Sequence, residues 1–113
     1  MDNIKETRPW GFYRVIEESF DYKVKYICVS PNKKLSYQKH AHRAEHWFIV
    51  SGKALVTIND VEFDLVAGES VSIEIGSLHR IQALDDIVEF IEIQTGTYFG
   101  EDDIIRVEDD YGR

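Results

Sequence analysis

Apolar positions along this chain alternate with polar ones instead of recurring every three or four residues. A period of two sends successive side chains to opposite faces, the pattern of a half-buried strand, so helices are expected to be scarce. The run Lys23–Ser30 (KVKYICVS) begins in alternation and is broken by the turn-forming Ser30-Pro31-Asn32-Lys33-Lys34, where Asn32 tolerates a left-handed backbone. Leu35–His42 (LSYQKHAH) and His46–Gly52 (HWFIVSG) read as strands separated only by Arg43-Ala44-Glu45. Lys53–Ile58 (KALVTI) and Val61–Val66 (VEFDLV) flank Asn59-Asp60, two residues suited to positive φ, and predict a tight hairpin. Ser70–Ile75 (SVSIEI) alternates again, Gly76 turns the chain, and HRIQAL and VEFIEIQTG complete the series. About seven or eight short, evenly spaced strands imply an all-β antiparallel sandwich or closed barrel, an arrangement that hides strand edges. No repeat, linker or low-complexity tract divides the sequence. Residues 1–113 are read as one domain, with an N-terminal arm over about 1–13 and an acidic C-terminal arm over about 100–113 that forms a short helix or crosses the barrel.

Composition narrows the function. At 113 residues, 43% hydrophobic and 12% aromatic, the chain can bury one modest core without disulfides or a zinc staple. Its 13 Lys and Arg against 21 Asp and Glu give a net charge of -8, which repels polyanions and argues against nucleic-acid binding. A small anion can still be held by a local Arg cluster. The single Cys28 has no internal disulfide partner and is expected to be a buried, inert thiol, which fits a reducing cytoplasm. MDNIKETRPWG lacks the apolar core of a secretion signal, and no stretch approaches the roughly 18 apolar residues of a membrane span. A cytoplasmic protein, neither secreted nor embedded, is expected.

All four histidines fall at two places, His40, His42 and His46 at one and His79 at the other. Gln38, His40 and His42 alternate, so on one strand their side chains leave the same face and can converge on an ion. Glu45, past a bend, offers a carboxylate, and Gly76-Ser77-Leu78 is a turn able to present His79. An imidazole-only set of His40, His42, His46 and His79 is the alternative and favours zinc or nickel.

The spacing resembles the cupin superfamily, whose first motif is met by Gln38, His40, Glu45 and Gly52 and whose second is met by Gly68, Gly76 and His79. Departures are Gln38 for the usual first His, Glu74 for a Pro, Ala83 for an Asn, and Asn32 for a Gly. The strings RPWGFY, LSYQKHAHRAEHWFIVSGKA, GSLHRI, IEIQTGTYFGEDDIIR and DDYGR resemble, over residues 8–113, the type II phosphomannose isomerase domain. That domain is often the C-terminal half of bifunctional mannose-1-phosphate guanylyltransferases. The nucleotide-binding Gly-rich loop of the other half is absent from these residues, so guanylyl transfer is not expected of them.

The resemblance implies a small antiparallel cupin barrel, a double-stranded β-helix or jelly roll. It implies one divalent metal ion on Gln38, His40, Glu45 and His79, with zinc the default and manganese, iron, cobalt or nickel also suited to those donors. The implied reaction is interconversion of mannose 6-phosphate and fructose 6-phosphate, which needs a Lewis acid and a proton-transferring base. His42, His46 and Glu74 are the candidate bases. Arg43, Arg80, Arg106 and Arg113 are candidates for the phosphate, with Arg8 able to join them; Trp10 and Trp47 are read as core. A small anionic sugar phosphate is the expected partner, and pairing of exposed strand edges the expected route to a homodimer. A metal-containing cupin that binds a sugar or sugar nucleotide without turnover is the alternative; dioxygen chemistry at iron ranks last.

Overall fold

The structure is a computed structural model that describes residues 4–108. Its described residues form eleven strands and no helix. These are β1 (Glu6–Arg8), β2 (Gly11–Glu18), β3 (Tyr22–Val29), β4 (Tyr37–Lys39), β5 (Arg43–Ser51) and β6 (Lys53–Ile58), followed by β7 (Val61–Val66), β8 (Ser70–Ile73), β9 (His79–Ala83), β10 (Val88–Gly96) and β11 (Ile105–Glu108). Two antiparallel sheets face each other, one in the order β1-β2-β3-β10-β5-β8 and the other β11-β4-β9-β6-β7. The predicted hairpin spans the expected residues, with Asn59 at φ 47° and Asp60 at φ 68°. Asn32 takes the left-handed turn at φ 62°. Gly52 is required by geometry: at φ 87° a side-chain Cβ would lie 2.2 Å from the Ile87 carbonyl oxygen.

Two expectations change and a third is narrowed. The strand expected over Leu35–His42 is hydrogen-bonded as a strand only over Tyr37–Lys39, because the chain bends at residues 41–42. The first hairpin, β1 with β2, adds strands that the alternation missed, since a register shift between Val15 and Glu17 interrupts the period. Of the two forms expected for the C-terminal arm, the described residues show the crossing one and not the helix: after a turn at residues 101–103, Ile105–Glu108 form a strand paired with β4.

The register explains where the site lies. On the inward face, Phe90 pairs with Ile27 and Ile49, and Val88 with Val29, forming an apolar end that continues into Val56, Ile81, Ala54 and Ala83 of the facing sheet. Further along the same strands, Glu92 pairs with Lys25 and Trp47, and Gln94 with Glu45. Across the barrel Gln38 pairs with His79. The barrel is therefore apolar at one end and densely polar at the other, with every row fixed by strand alternation. Cys28 points the other way, half-buried on the outer face and not in the core, and burial raises its thiol pKa. No helix among the described residues is long and apolar enough to cross a membrane.

Candidate metal centre

His40, Glu45 and His79 bring one donor atom each to within 4.8 Å of one another, and all three residues are buried. Glu45 Oε2 is 3.3 Å from His40 Nε2, and Oε1 is 3.7 Å from His79 Nε2. Both rings are oriented from behind. His40 Nδ1 lies 2.6 Å from the Asp103 carbonyl oxygen and His79 Nδ1 lies 2.9 Å from that of Ser77. A carbonyl only accepts, so each Nδ1 donates a proton and leaves its Nε2 facing Glu45, the nitrogen through which a neutral ring would ligate a metal ion. The Gly76 N–H donates to the His40 carbonyl at 2.9 Å, tying the loop that carries His79 to the end of β4.

The electrostatics suit a cation. Burial alone would raise the Glu45 pKa, but the adjoining His40 and His79 rings and the Arg43 guanidinium outweigh it and hold this carboxyl well below the ordinary range. Burial lowers the His79 pKa, with Glu45 opposing, so the ring favours the neutral form that ligates. Two imidazoles and an ionised carboxylate on one wall fit a divalent ion; Gln38 lines the same chamber and offers an amide oxygen. Arg43, 6% exposed, donates from Nε to Glu45 at 3.0 Å and from Nη2 to His40 Nε2 at 3.1 Å, so its guanidinium borders the donors.

The chamber beside this cluster has a volume of about 140 Å³. Its walls carry the cations Arg8, Lys25, Arg43, Arg80 and Arg106 and the carboxylates Glu45, Glu92 and Glu101. Trp47 belongs to the core, and its indole N–H also donates to Glu45 at 2.9 Å and to Glu92 at 3.1 Å. Burial, followed by the Glu45 charge, pushes Glu92 up to about 7, against the pull of Lys25 and Arg43. Gln94, fully buried, donates to Glu92 at 2.7 Å.

Of the residues singled out from sequence, Gln38, His40, Glu45, His79, Arg43, Arg80 and Arg106 line the chamber. Arg80 is engaged by Glu108 at 2.8 Å and by the Leu35 carbonyl at 2.9 Å. Arg113 lies outside the described residues. His42, His46 and Glu74 are not brought to the chamber. His42 lies in the bend after β4 and packs edge-on to Tyr98, with ring centroids 6.3 Å apart. His46 is out of phase with Glu45 on β5 and faces outward, its Nδ1 2.8 Å from Ser72 Oγ. Glu74 is exposed just past the end of β8. Sequence reasoning missed Lys25, Glu92 and Gln94, although each sits in the apolar phase of its strand, with Ile27 and Val29 or with Val88 and Phe90.

A six-stranded and a five-stranded antiparallel sheet enclosing a His–His–Glu cluster define a cupin, or double-stranded β-helix, with a candidate metal centre. A point mutant of Bacillus subtilis oxalate decarboxylase superposes with a TM-score of 0.85 at 22% identity, over 94% of this chain and 30% of that one, a likeness of fold. Residues 2–109 match the family described as Mannose-6-phosphate isomerase C-terminal, and the chain belongs to that family. It is 50% identical over 107 residues to the alginate biosynthesis protein AlgA of Pseudomonas aeruginosa, covering 94% of this chain and 22% of AlgA. It is 47% identical over 107 residues to a mannose-1-phosphate guanylyltransferase of Salmonella montevideo, covering 94% of this chain and 23% of that protein. The chain thus spans less than a quarter of the length of these relatives.

Proposed function

We propose that this cupin binds one divalent metal ion through His40, Glu45 and His79, with Gln38 as fourth donor, and isomerises mannose 6-phosphate to fructose 6-phosphate. The observation that carries this reading is the junction of a buried His–His–Glu cluster with a cation-walled chamber, in a chain of the mannose-6-phosphate isomerase C-terminal family. Zinc suits two imidazoles and a carboxylate, and manganese is the second ion to assay because Bacillus subtilis oxalate decarboxylase is described with Mn(II) centres. When bound, the ion supplies Lewis-acid polarisation of a sugar oxygen.

The remaining chemistry falls to side chains. Isomerisation moves one proton from C2 to C1 and one hydroxyl proton from O2 to O1, with no net loss of atoms or electrons. Glu92 is our candidate for the carbon-bound proton: it lines the chamber, stands outside the metal-donor cluster, and is held by Trp47 and Gln94. A carboxylate so placed can take the proton from C2 and return it to C1. The test is mannose 6-phosphate turnover in a coupled assay, together with exchange of the C2 hydrogen in deuterated water. Turnover with exchange in the wild type, and loss of both in Glu92→Gln with ligand binding retained, supports the assignment. Ligand binding by metal-loaded wild type without turnover or exchange would replace it with a non-catalytic sugar-phosphate-binding cupin.

A further inference from the structure

Lys25 is the most unusual side chain on the chamber wall: a lysine only 4% exposed, opposite Glu92 in the β-ladder. A buried ammonium needs counter-charge. Besides Glu92, it has the face of the Tyr13 ring 4.3 Å from Nζ and the carboxylate of Glu101, both of whose oxygens lie 3.4 Å away. Glu101 belongs to the loop between β10 and β11 and also reaches Arg43, with Oε2 3.4 Å from Nη1. One carboxylate thus bridges two buried cations, while its own side chain is 54% exposed. All three contacts are longer than the roughly 2.7–2.9 Å of a tight charge-assisted hydrogen bond.

We infer that Lys25 and Arg43 Nη1 form the subsite for the phosphate of the substrate, and that Glu101 is seated there as an exchangeable stand-in which the phosphate displaces. A phosphate dianion carries more charge than a carboxylate and three oxygens with which to span both cations. Arg43 can serve while its Nε stays on Glu45, since Nη1, the nitrogen that meets Glu101, is a separate corner of the guanidinium. Space argues the same way. With Glu101 seated, the chamber of about 140 Å³ falls short of the roughly 300 Å³ at the lower end of small-molecule sites, so the loop side must yield to a sugar phosphate. A second polar group awaits a ligand: Ser36 Oγ, in a residue 1% exposed that lines the same chamber, has no hydrogen-bond partner among the described residues.

The identity of the anion as a sugar phosphate rests on the isomerase reading, whereas the subsite itself can be tested with inorganic phosphate. Calorimetric titration of inorganic phosphate, then of mannose 6-phosphate, compares wild type, Glu101→Gln, Lys25→Met and the double variant. Glu101→Gln, at an exposed position, should tighten phosphate about fivefold by removing the competitor. Lys25→Met should weaken it at least about tenfold, and the gain from Glu101→Gln should shrink in the double variant because one of the two contested cations is gone. Unchanged or weaker phosphate affinity in Glu101→Gln overturns the stand-in, and that result decides the matter even if Lys25→Met fails to fold. Tightening in Glu101→Gln without any turnover of mannose 6-phosphate would retain the subsite and reject the isomerase; turnover with phosphate affinity indifferent to both substitutions would do the reverse.

Discussion

Replacing Glu92 by Gln isolates the electrostatic cost of a second buried carboxyl beside Glu45. The substitution is nearly isosteric, and its hydrogen bonds can be kept: the introduced amide oxygen accepts from the Trp47 indole. The Gln94 amide, turned over, presents Oε1 to the new N–H. That oxygen has no partner among the described residues, so the turn leaves nothing worse paired. In the wild type, burial and then the Glu45 charge move Glu92 from 4.5 to about 7, a difference on the order of 3 kcal/mol. Because the folded-state value is raised, the folded protein holds this proton more tightly than the unfolded chain. Its contribution to stability is complete below about pH 4.5 and is lost as pH rises toward 7. Glu45, Glu101 and Asp103 shift the other way and His79 is lowered, but wild type and variant share those groups, so the difference between the two curves reports Glu92. Urea unfolding of chelator-treated protein from about pH 4.5 to 8 should show Glu92→Gln level with wild type at the acid end and more stable by about 3 kcal/mol at the alkaline end. A gap that stays within about 1 kcal/mol and does not grow with pH refutes the assignment.

His40→Ala removes one buried donor and should reduce bound metal from near stoichiometric to background in elemental analysis, with the fold retained by circular dichroism; full metal occupancy in the variant would exclude His40 as a ligand. Asp103→Ala deletes a carboxylate that accepts from the Ala41 N–H at 3.1 Å and the His42 N–H at 3.0 Å, beside the carbonyl that orients His40. It should cost about 1 kcal/mol of stability and about tenfold in metal affinity. Burial would raise Asp103, but those two N–H groups outweigh it and lower its pKa, so this stability is present above about pH 4 and is lost as pH falls through the folded-state value. The expected homodimer has a candidate surface where Phe48 pairs with Ile91 beside the exposed Val50 and Ile93. Light scattering should give twice the chain mass for the wild type and the chain mass for Phe48→Glu; a wild-type monomer ends that proposal.

The parts of this fold legible in the sequence are those set by local chemistry. Asn59-Asp60 between two alternating runs specified a hairpin whose register needs nothing distant, and the intervals among Gln38, His40, Glu45, Gly52, Gly68, Gly76 and His79 marked the strands and turn that bring His40, Glu45 and His79 together. Periodicity misled where the backbone departs from a regular ladder. His42 shares parity with Gln38 and His40, but parity predicts a common face only while the strand continues, and this one ends at Lys39. The contacts of the β10–β11 loop were not legible, because Glu101 meets Lys25 and Arg43 across 76 and 58 residues of sequence and Asp103 meets His40 across 63. No local pattern encodes such pairings.

A further signal was present and can be stated as a rule of this barrel. In β3, β5, β9 and β10 the inward phase is apolar at one end, then turns polar while remaining buried: Lys25, then Ile27 and Val29; Arg43 and Glu45, then Trp47 and Ile49; His79, then Ile81 and Ala83; Val88 and Phe90, then Glu92 and Gln94. Burying those groups opposes folding unless each is paired, and the apolar rows below, not the polar ones, supply the favourable burial. Antiparallel register brings the polar ends of β3, β5 and β10 into one layer, so the unfavourable groups lie where they can compensate one another. Compensation there is incomplete: Glu92 remains perturbed, Ser36 and Gln94 each keep an oxygen with no partner among the described residues, and Lys25 is balanced in part by a half-exposed carboxylate at long range. A layer optimised only for stability would replace these groups with hydrocarbon. Their incomplete pairing, concentrated beside the His40, Glu45 and His79 cluster, is what the proposed binding of a polar, anionic ligand would complete.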